Sequence, residues 1–259
     1  MKASSEDKLA QGIINGFEPA AKVVSFAGQD DLVLALASRL EQAAHKAIAE
    51  RGLFLIALSG GHTPEDLYRL LATPEWIDRF DWSRVHIFFG DERAVPPDDP
   101  RSNFRSARLA LLDWIPVRGQ QVHRWLSEVD DLEIAAREYA SQLAALGGRL
   151  DVTLLGLGPD GHIASLFPHS SQVSEQEKGA VATAVSPTEP YVRRLTLTFP
   201  SLNASREVWF LAVGEGKSEP VRASFQEPVD ALARPSQGIK LQENSPVWFL
   251  DDAAAKLLT

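Results

Sequence analysis

Leu53-Phe54-Leu55-Ile56-Ala57-Leu58 is an unbroken apolar run. A strand with no polar face must be covered on both sides, the condition of a strand inside a parallel sheet flanked by helices. The run stops at Ser59-Gly60-Gly61-His62-Thr63-Pro64, after which Leu67, Leu70 and Leu71 fall on one helical face. The same succession recurs. Residues 85–89 end at Gly90-Asp91-Glu92-Arg93, residues 152–157 at Gly158-Pro159-Asp160-Gly161-His162, and residues 208–213 at Gly214-Glu215-Gly216-Lys217. Helical spacing covers residues 30–50, about 103–112 and 133–146, and a further helix is expected after Lys217. Residues 23–26, the alternating 194–199 and 247–250 supply further strands, the last followed by a short alanine-rich helix.

This alternation of strand and helix predicts an α/β fold: a single-domain, three-layer, Rossmann-like, mostly parallel sheet with helices on both faces. Residues 23–259 form that domain. Residues 1–22, interrupted by Gly12, Gly16 and Pro19, read as a loosely attached extension, and the polar stretch 168–190 reads as loop.

Composition then removes several classes of function. The formal net charge is -9, so the chain lacks the field that draws nucleic acid. It has no cysteine, which excludes a disulfide framework, a Cys-ligated zinc and a Cys nucleophile. Its six histidines are scattered, with no His-x-x-x-His pair, so no metal is expected. No apolar run is long enough to span a bilayer, and Met1 to Asp7 lead into no secretory signal. These features predict a cytoplasmic protein acting on a small molecule. An anionic substrate would need a local cluster of Arg, Lys and backbone N–H groups.

Ligands of an open α/β sheet bind outside the carboxyl ends of its strands, so the four polar turns should share one edge. In the first, Gly60 and Gly61 can turn successive N–H groups inward, Thr63 can cap the helix, and the helix N-terminus favours an anion. An ordinary tight turn would read the same way. It is not a P-loop, because no Gly-Lys-Ser/Thr follows. Arg93, Arg194 and Lys217 stand near strand ends, where each could clamp an anion or merely pair with a surface carboxylate. His162 follows a glycine that presents its ring, and histidine can take a proton from water and return it. Asp160 could orient that ring or hold the loop. His62 could also contact substrate. No Gly-x-Ser-x-Gly elbow is present.

With these residues in hand, the chain resembles the 6-phosphogluconolactonases of the glucosamine-6-phosphate isomerase/6-phosphogluconolactonase family. The resemblance runs through Ser59-Gly60-Gly61-His62-Thr63-Pro64, then Gly90 to Pro96 with Asp99 and Ser102-Asn103. It continues through Leu154 to Pro168, Arg193 to Thr198, Gly214 to Lys217, and Trp248-Phe249-Leu250-Asp251. It implies a fold related to ribose-5-phosphate isomerase and glucosamine-6-phosphate deaminase. It also implies hydrolysis of 6-phospho-D-glucono-1,5-lactone by a monomer without cofactor. On that resemblance, His162 and Asp160 carry the chemistry. Ser59, Gly60, Gly61, Thr63, Asp91, Arg93, Arg194 and Lys217 contact substrate, with no fixed division between phosphate and carbonyl. Two readings compete. A deaminase of the same family would need a Glu where this chain has Phe167. A sugar-phosphate sensor would be expected to lose the His or carry a DNA-binding appendage. The chain departs from the family at Pro190-Tyr191-Val192 and at Asp230-Ala231, which bears on loop shape.

Overall fold

A computed structural model of the 259-residue chain describes residues 12, 13 and 21–258. Most of the expected extension over residues 1–22 lies outside the described residues. The strands are β1 (Gly12–Ile13), β2 (Lys22–Phe26), β3 (Phe54–Leu58), β4 (Val85–Phe89), β5 (Asp91–Arg93), β6 (Val152–Gly156), β7 (Ala180–Ala182), β8 (Arg194–Leu197), β9 (Glu207–Ala212) and β10 (Val247–Asp251). The helices are α1 (Gln29–Arg51), α2 (His62–Leu71), α3 (Pro74–Ile77), α4 (Asn103–Ala107), α5 (Leu132–Ala145), α6 (Phe199–Ala204), α7 (Ser218–Gln226) and α8 (Asp252–Ala255).

The main sheet has the order β1-β2-β10-β9-β6-β3-β4. The six strands from β2 to β4 are parallel, and only β1 pairs antiparallel, Gly12 opposite Val23. Every residue of β3 and β10 is buried, as strands covered on both faces must be. Aromatic side chains fill the layer between neighbouring strands. Phe210 on β9 lies opposite Trp248 on β10, and their rings stack at 3.9 Å and 7°. Such a pair adds about 0.5–1.5 kcal/mol beyond its burial.

The expectation of one sheet needs correction. Asp91–Arg93 and Arg194–Leu197 leave the main sheet and pair with each other, and Ala180–Ala182 completes a separate antiparallel sheet, β5-β8-β7. The stretch read as loop therefore holds a strand, and the turn after β4 is itself one. Residue 199 opens α6 instead of ending β8, because Pro200 in the first turn cannot donate to a ladder. The helix expected over residues 103–112 is α-helical only to Ala107 and continues as one π-helical segment, Arg108–Leu112.

One carboxylate ties the base of the sheet. Asp151, just before β6, accepts from Leu55 N–H at 2.8 Å and sends its own N–H to Leu55 C=O at 2.8 Å. Its other oxygen meets Arg51 at the end of α1 (2.8 Å) and Arg206 before β9 (3.3 Å). Charge-assisted bonds of this kind contribute about 1.5–3 kcal/mol each. Asp151→Ala should lower the urea midpoint by the equivalent of about 2–3 kcal/mol with the m-value unchanged, and Asp151→Asn by less. Equal midpoints for wild type and Asp151→Ala would show that the carboxylate holds nothing.

Candidate active site

From β3 the chain steps to β4 on one side and then to β6 on the other, so the strand order reverses between β3 and β6. The loops leaving two such strands diverge and open a crevice. A cleft of 570 Å³ lies there. Ser59, Gly60, Gly61, Thr63, Asp91, Arg93, His162, Arg194 and Lys217 all line it, so residues far apart in sequence share one wall. Asp160 stands behind His162. His62 also lines the cleft, with its residue exposed.

The turn after β3 differs from expectation at Thr63. Gly61, at φ 110° and ψ 167°, is the cap of α2, and no side chain caps the helix. That backbone conformation suits glycine, and the chain enters the helix directly after it, so Thr63 falls inside the first turn. The first-turn N–H groups of His62 and Thr63 have no intrahelical acceptor and are available to an anion. Gly60 is fixed by contact. A β-carbon there would lie 2.0 Å from Asn103 Oδ1. Asn103 is held in turn by bonds from its amide to Asp91 C=O (3.0 Å) and Asp91 Oδ1 (3.2 Å).

Next to Asn103 the wall is basic and braced by buried carboxylates. Asp91 lines the cleft, but its oxygens are engaged by Asn103, by Ser165 Oγ at 2.6 Å and by Arg194 at 3.9 Å. It therefore serves by holding these groups. Arg194 is only 4% exposed, donates to Glu189 C=O at 3.3 Å and lies 5.5 Å over the Phe167 ring. Burial pushes its pKa down, against the pull of Asp91. Arg93 donates to Arg101 C=O at 2.7 Å. The Nε atoms of both arginines are buried without a hydrogen-bond partner. Glu92 points away from the cleft and accepts from four donors at 2.8–2.9 Å: the N–H groups of Arg93, Asn103 and Phe104 and the Ser102 hydroxyl.

His162 sits on a tight loop. Gly158 N–H donates to His162 C=O at 2.8 Å, and Gly161 takes φ 81°. Asp160 Oδ1 binds His162 Nδ1 at 2.6 Å and its N–H at 3.1 Å. Partial burial works against the Asp160 carboxylate, but the bonds and charge of His162 outweigh it and hold its pKa below the ordinary range. An ionised Asp160 only accepts, which places the proton on Nδ1 and leaves Nε2 as the basic nitrogen. The Phe167 ring lies 4.6 Å away. Lys217 Nζ donates to Leu157 C=O at 2.5 Å; burial lowers its pKa, and Asp160 opposes that. The turn before it is pinned by Gly214 N–H bonding to both oxygens of Asp251 at 3.0 Å. Among the described residues, no three His, Cys, Asp or Glu side chains are grouped to hold a metal ion.

Sequence reading missed Asn103, Ser165 and Asp251 as parts of the site, although all three stand in the stretches of resemblance. Gly158 has a role that its neighbours hide: a β-carbon on it would lie 2.0 Å from His162 Nδ1. Gly158→Ala should therefore displace the ring and break its bond to Asp160. Nitrogen-15 spectra of the imidazole check this; an unchanged Nδ1 signal would mean that the loop absorbs the methyl group.

Residues 27–248 match the family described as glucosamine-6-phosphate isomerases/6-phosphogluconolactonase. The 6-phosphogluconolactonase of Mycobacterium tuberculosis is 42% identical over 249 residues, covering 92% of this chain and 99% of that protein. The crystal structure of a 6-phosphogluconolactonase from Shewanella baltica is 30% identical, with a TM-score of 0.78 over 93% of this chain and 100% of that one. A monomeric glucosamine-6-phosphate deaminase, 22% identical with a TM-score of 0.79 over 91% of this chain and 99% of that one, shares the fold. By sequence and by architecture, the chain belongs to the glucosamine-6-phosphate isomerase/6-phosphogluconolactonase family.

Proposed function

We propose that this chain is a 6-phosphogluconolactonase, which hydrolyses 6-phospho-D-glucono-1,5-lactone to 6-phospho-D-gluconate with its own side chains as the only catalytic groups. The observation that carries the chemistry is the 2.6 Å bond between His162 Nδ1 and Asp160, which leaves Nε2 free as a base in a cleft with a basic wall. Relatives that carry the name 6-phosphogluconolactonase, 42% and 38% identical, support this substrate. The reading places the enzyme in the cytoplasm, as a monomer, in the oxidative pentose phosphate pathway.

The phosphate rests on the glycine turn, the start of α2 and Arg93, with Arg194 behind. This fixes the lactone carbonyl near His162 and removes much of the entropic part of the barrier. His162 Nε2 takes a proton from water, and the hydroxide adds to the carbonyl carbon. The tetrahedral oxyanion is stabilised by Lys217 and neighbouring N–H groups. It collapses by breaking the bond to the ring oxygen, which receives the proton from the imidazolium. Asp160 holds the ring and stabilises its charged form. On the Phe167 side the neighbour of His162 is apolar and moves no proton, which favours a lactonase over a deaminase.

The test is loss of freshly generated lactone, with spontaneous hydrolysis subtracted and a chelator present. His162→Ala should lower kcat by roughly 10²–10⁴-fold. Asp160→Asn should lower it less, with KM nearly unchanged. Turnover near the wild-type rate in His162→Ala would remove the proposed base, and no acceleration by the wild type would remove the function.

A further inference from the structure

Two adjacent glycines give this turn wide backbone freedom, and yet an anion site needs its N–H groups held in register. What fixes its base is a residue outside the cleft. Tyr68 stands two turns into α2 and is 2% exposed. Its hydroxyl accepts from Ser59 N–H at 3.0 Å and donates to Ser59 C=O at 2.7 Å. Both backbone groups of one residue are thus satisfied by one side chain, their only hydrogen-bond partner among the described residues. Side chains on a helix lean toward its N-terminus, which lets Tyr68 reach back to the residue where the strand ended. The strand end, the two glycines and the first turns of the helix therefore form a closed ring.

The same device closes the neighbouring strand. Tyr139 accepts from Phe89 N–H at 2.6 Å and donates to Phe89 C=O at 2.9 Å. The setting differs, because Phe89 is the last residue of β4 and its carbonyl has a second donor in Trp125 at 3.0 Å. Ser59 lies in the turn itself and has no such reserve. On its far side Asn103 stands against Gly60. Without Tyr68, two residues lacking β-carbons would be free to sample conformations that point their N–H groups elsewhere, and binding would bear the cost of ordering them.

We propose that Tyr68 is a positioning residue that sets the preference for phosphorylated over unphosphorylated lactones, by clamping the base of the glycine turn. The proposal rests on the lactonase reading. In that substrate the phosphate is on C6 and the reacting carbonyl is C1, at opposite ends. His162 stands on the loop after β6 and shares no hydrogen bond with Tyr68, so loss of the clamp affects recognition of the phosphate and spares the chemistry.

Tyr68→Phe keeps the ring and its packing and removes only the hydroxyl. The variant, which loses both hydrogen bonds of the clamp, should raise KM for 6-phosphogluconolactone, and the inhibition constant of inorganic phosphate, by roughly tenfold. Its kcat should stay within about twofold, and its hydrolysis of unphosphorylated glucono-1,5-lactone should match the wild type. Hydrogen exchange supplies a readout independent of turnover: the Ser59 amide should lose protection while the amides of the second turn of α2 keep theirs. Equal losses on both lactones would mark a general loosening and overturn the proposal. So would an unchanged phosphate constant, or a Ser59 amide still protected in the variant. A wild type that hydrolyses both lactones alike and ignores inorganic phosphate would instead overturn the phosphate-site reading, and the proposal with it.

Discussion

Burial of the central strands on both faces is the constraint from which the rest follows. A side chain on β3 or β10 has almost no access to water, so the groups able to act on a ligand stand beyond the strand ends, in loops and in the small second sheet. Those loops have left the ladder and must satisfy their backbone groups by other means. Side chains do so throughout the cleft. Tyr68 serves Ser59, Asp251 serves Gly214, and Glu92 serves the N–H groups of Arg93, Asn103 and Phe104 at once. Burial raises the pKa of Glu92. Four donors aimed at its two oxygens nevertheless suit the ionised form, since a proton on either oxygen would face a donor. The charge of Glu92 is therefore part of the architecture that carries Arg93 to the cleft.

Close packing supplies the second layer of control. Gly60 and Gly158 occupy matching places after β3 and β6, and each is pressed by a side chain that lines the cleft, Asn103 on one and His162 on the other. The turn is glycine-rich because the site comes down onto its backbone, as well as because the backbone must bend. Ala164, at φ 46°, shows the same pressure in a residue that has a β-carbon. It lies between His162 and Ser165, whose hydroxyl must reach Asp91.

How much of this was legible in the sequence depends on distance along the chain. The parallel strands declare themselves by apolar runs and the turns by glycine, and both signals are local. The convergence of four turns follows from the sheet alone. The small second sheet was hidden because β5 and β7 are three residues each, too short for any period to show, and their partner β8 lies a hundred residues from β5. The same holds in the site. His162 and Asp160 are two residues apart and could be paired on paper. Ser165 and Asp91 are separated by 74 residues, and nothing near either one announces the other. Tyr68 reads simply as one more apolar position on a helix. Thr63 misled for the opposite reason: a good capping residue stood beside a glycine whose conformation had already begun the helix.

A chain of net charge -9 that binds an anion must make its positive potential locally, and the cleft does so with bases of two kinds. Arg93 and Arg194 carry guanidinium groups, which keep their charge even where burial opposes it. Their unpartnered Nε atoms show that the protein has not used all of their donors. Lys217 is different. An amine can lose its proton, and burial already moves Lys217 in that direction while Asp160 resists. A phosphate is charged at every stage of the reaction, so permanent cations suit it. The carbonyl oxygen is charged only while the tetrahedral species lasts. Lys217 stands at the His162 end, beside Leu157 and within the field of Asp160. On the proposed mechanism, its ammonium is least at ease in the empty cleft and most stabilised when the oxyanion forms. Interactions that strengthen on the way to the transition state are the ones that raise kcat. On that mechanism, the division of labour between arginine and lysine follows from which of them can respond to a charge that comes and goes.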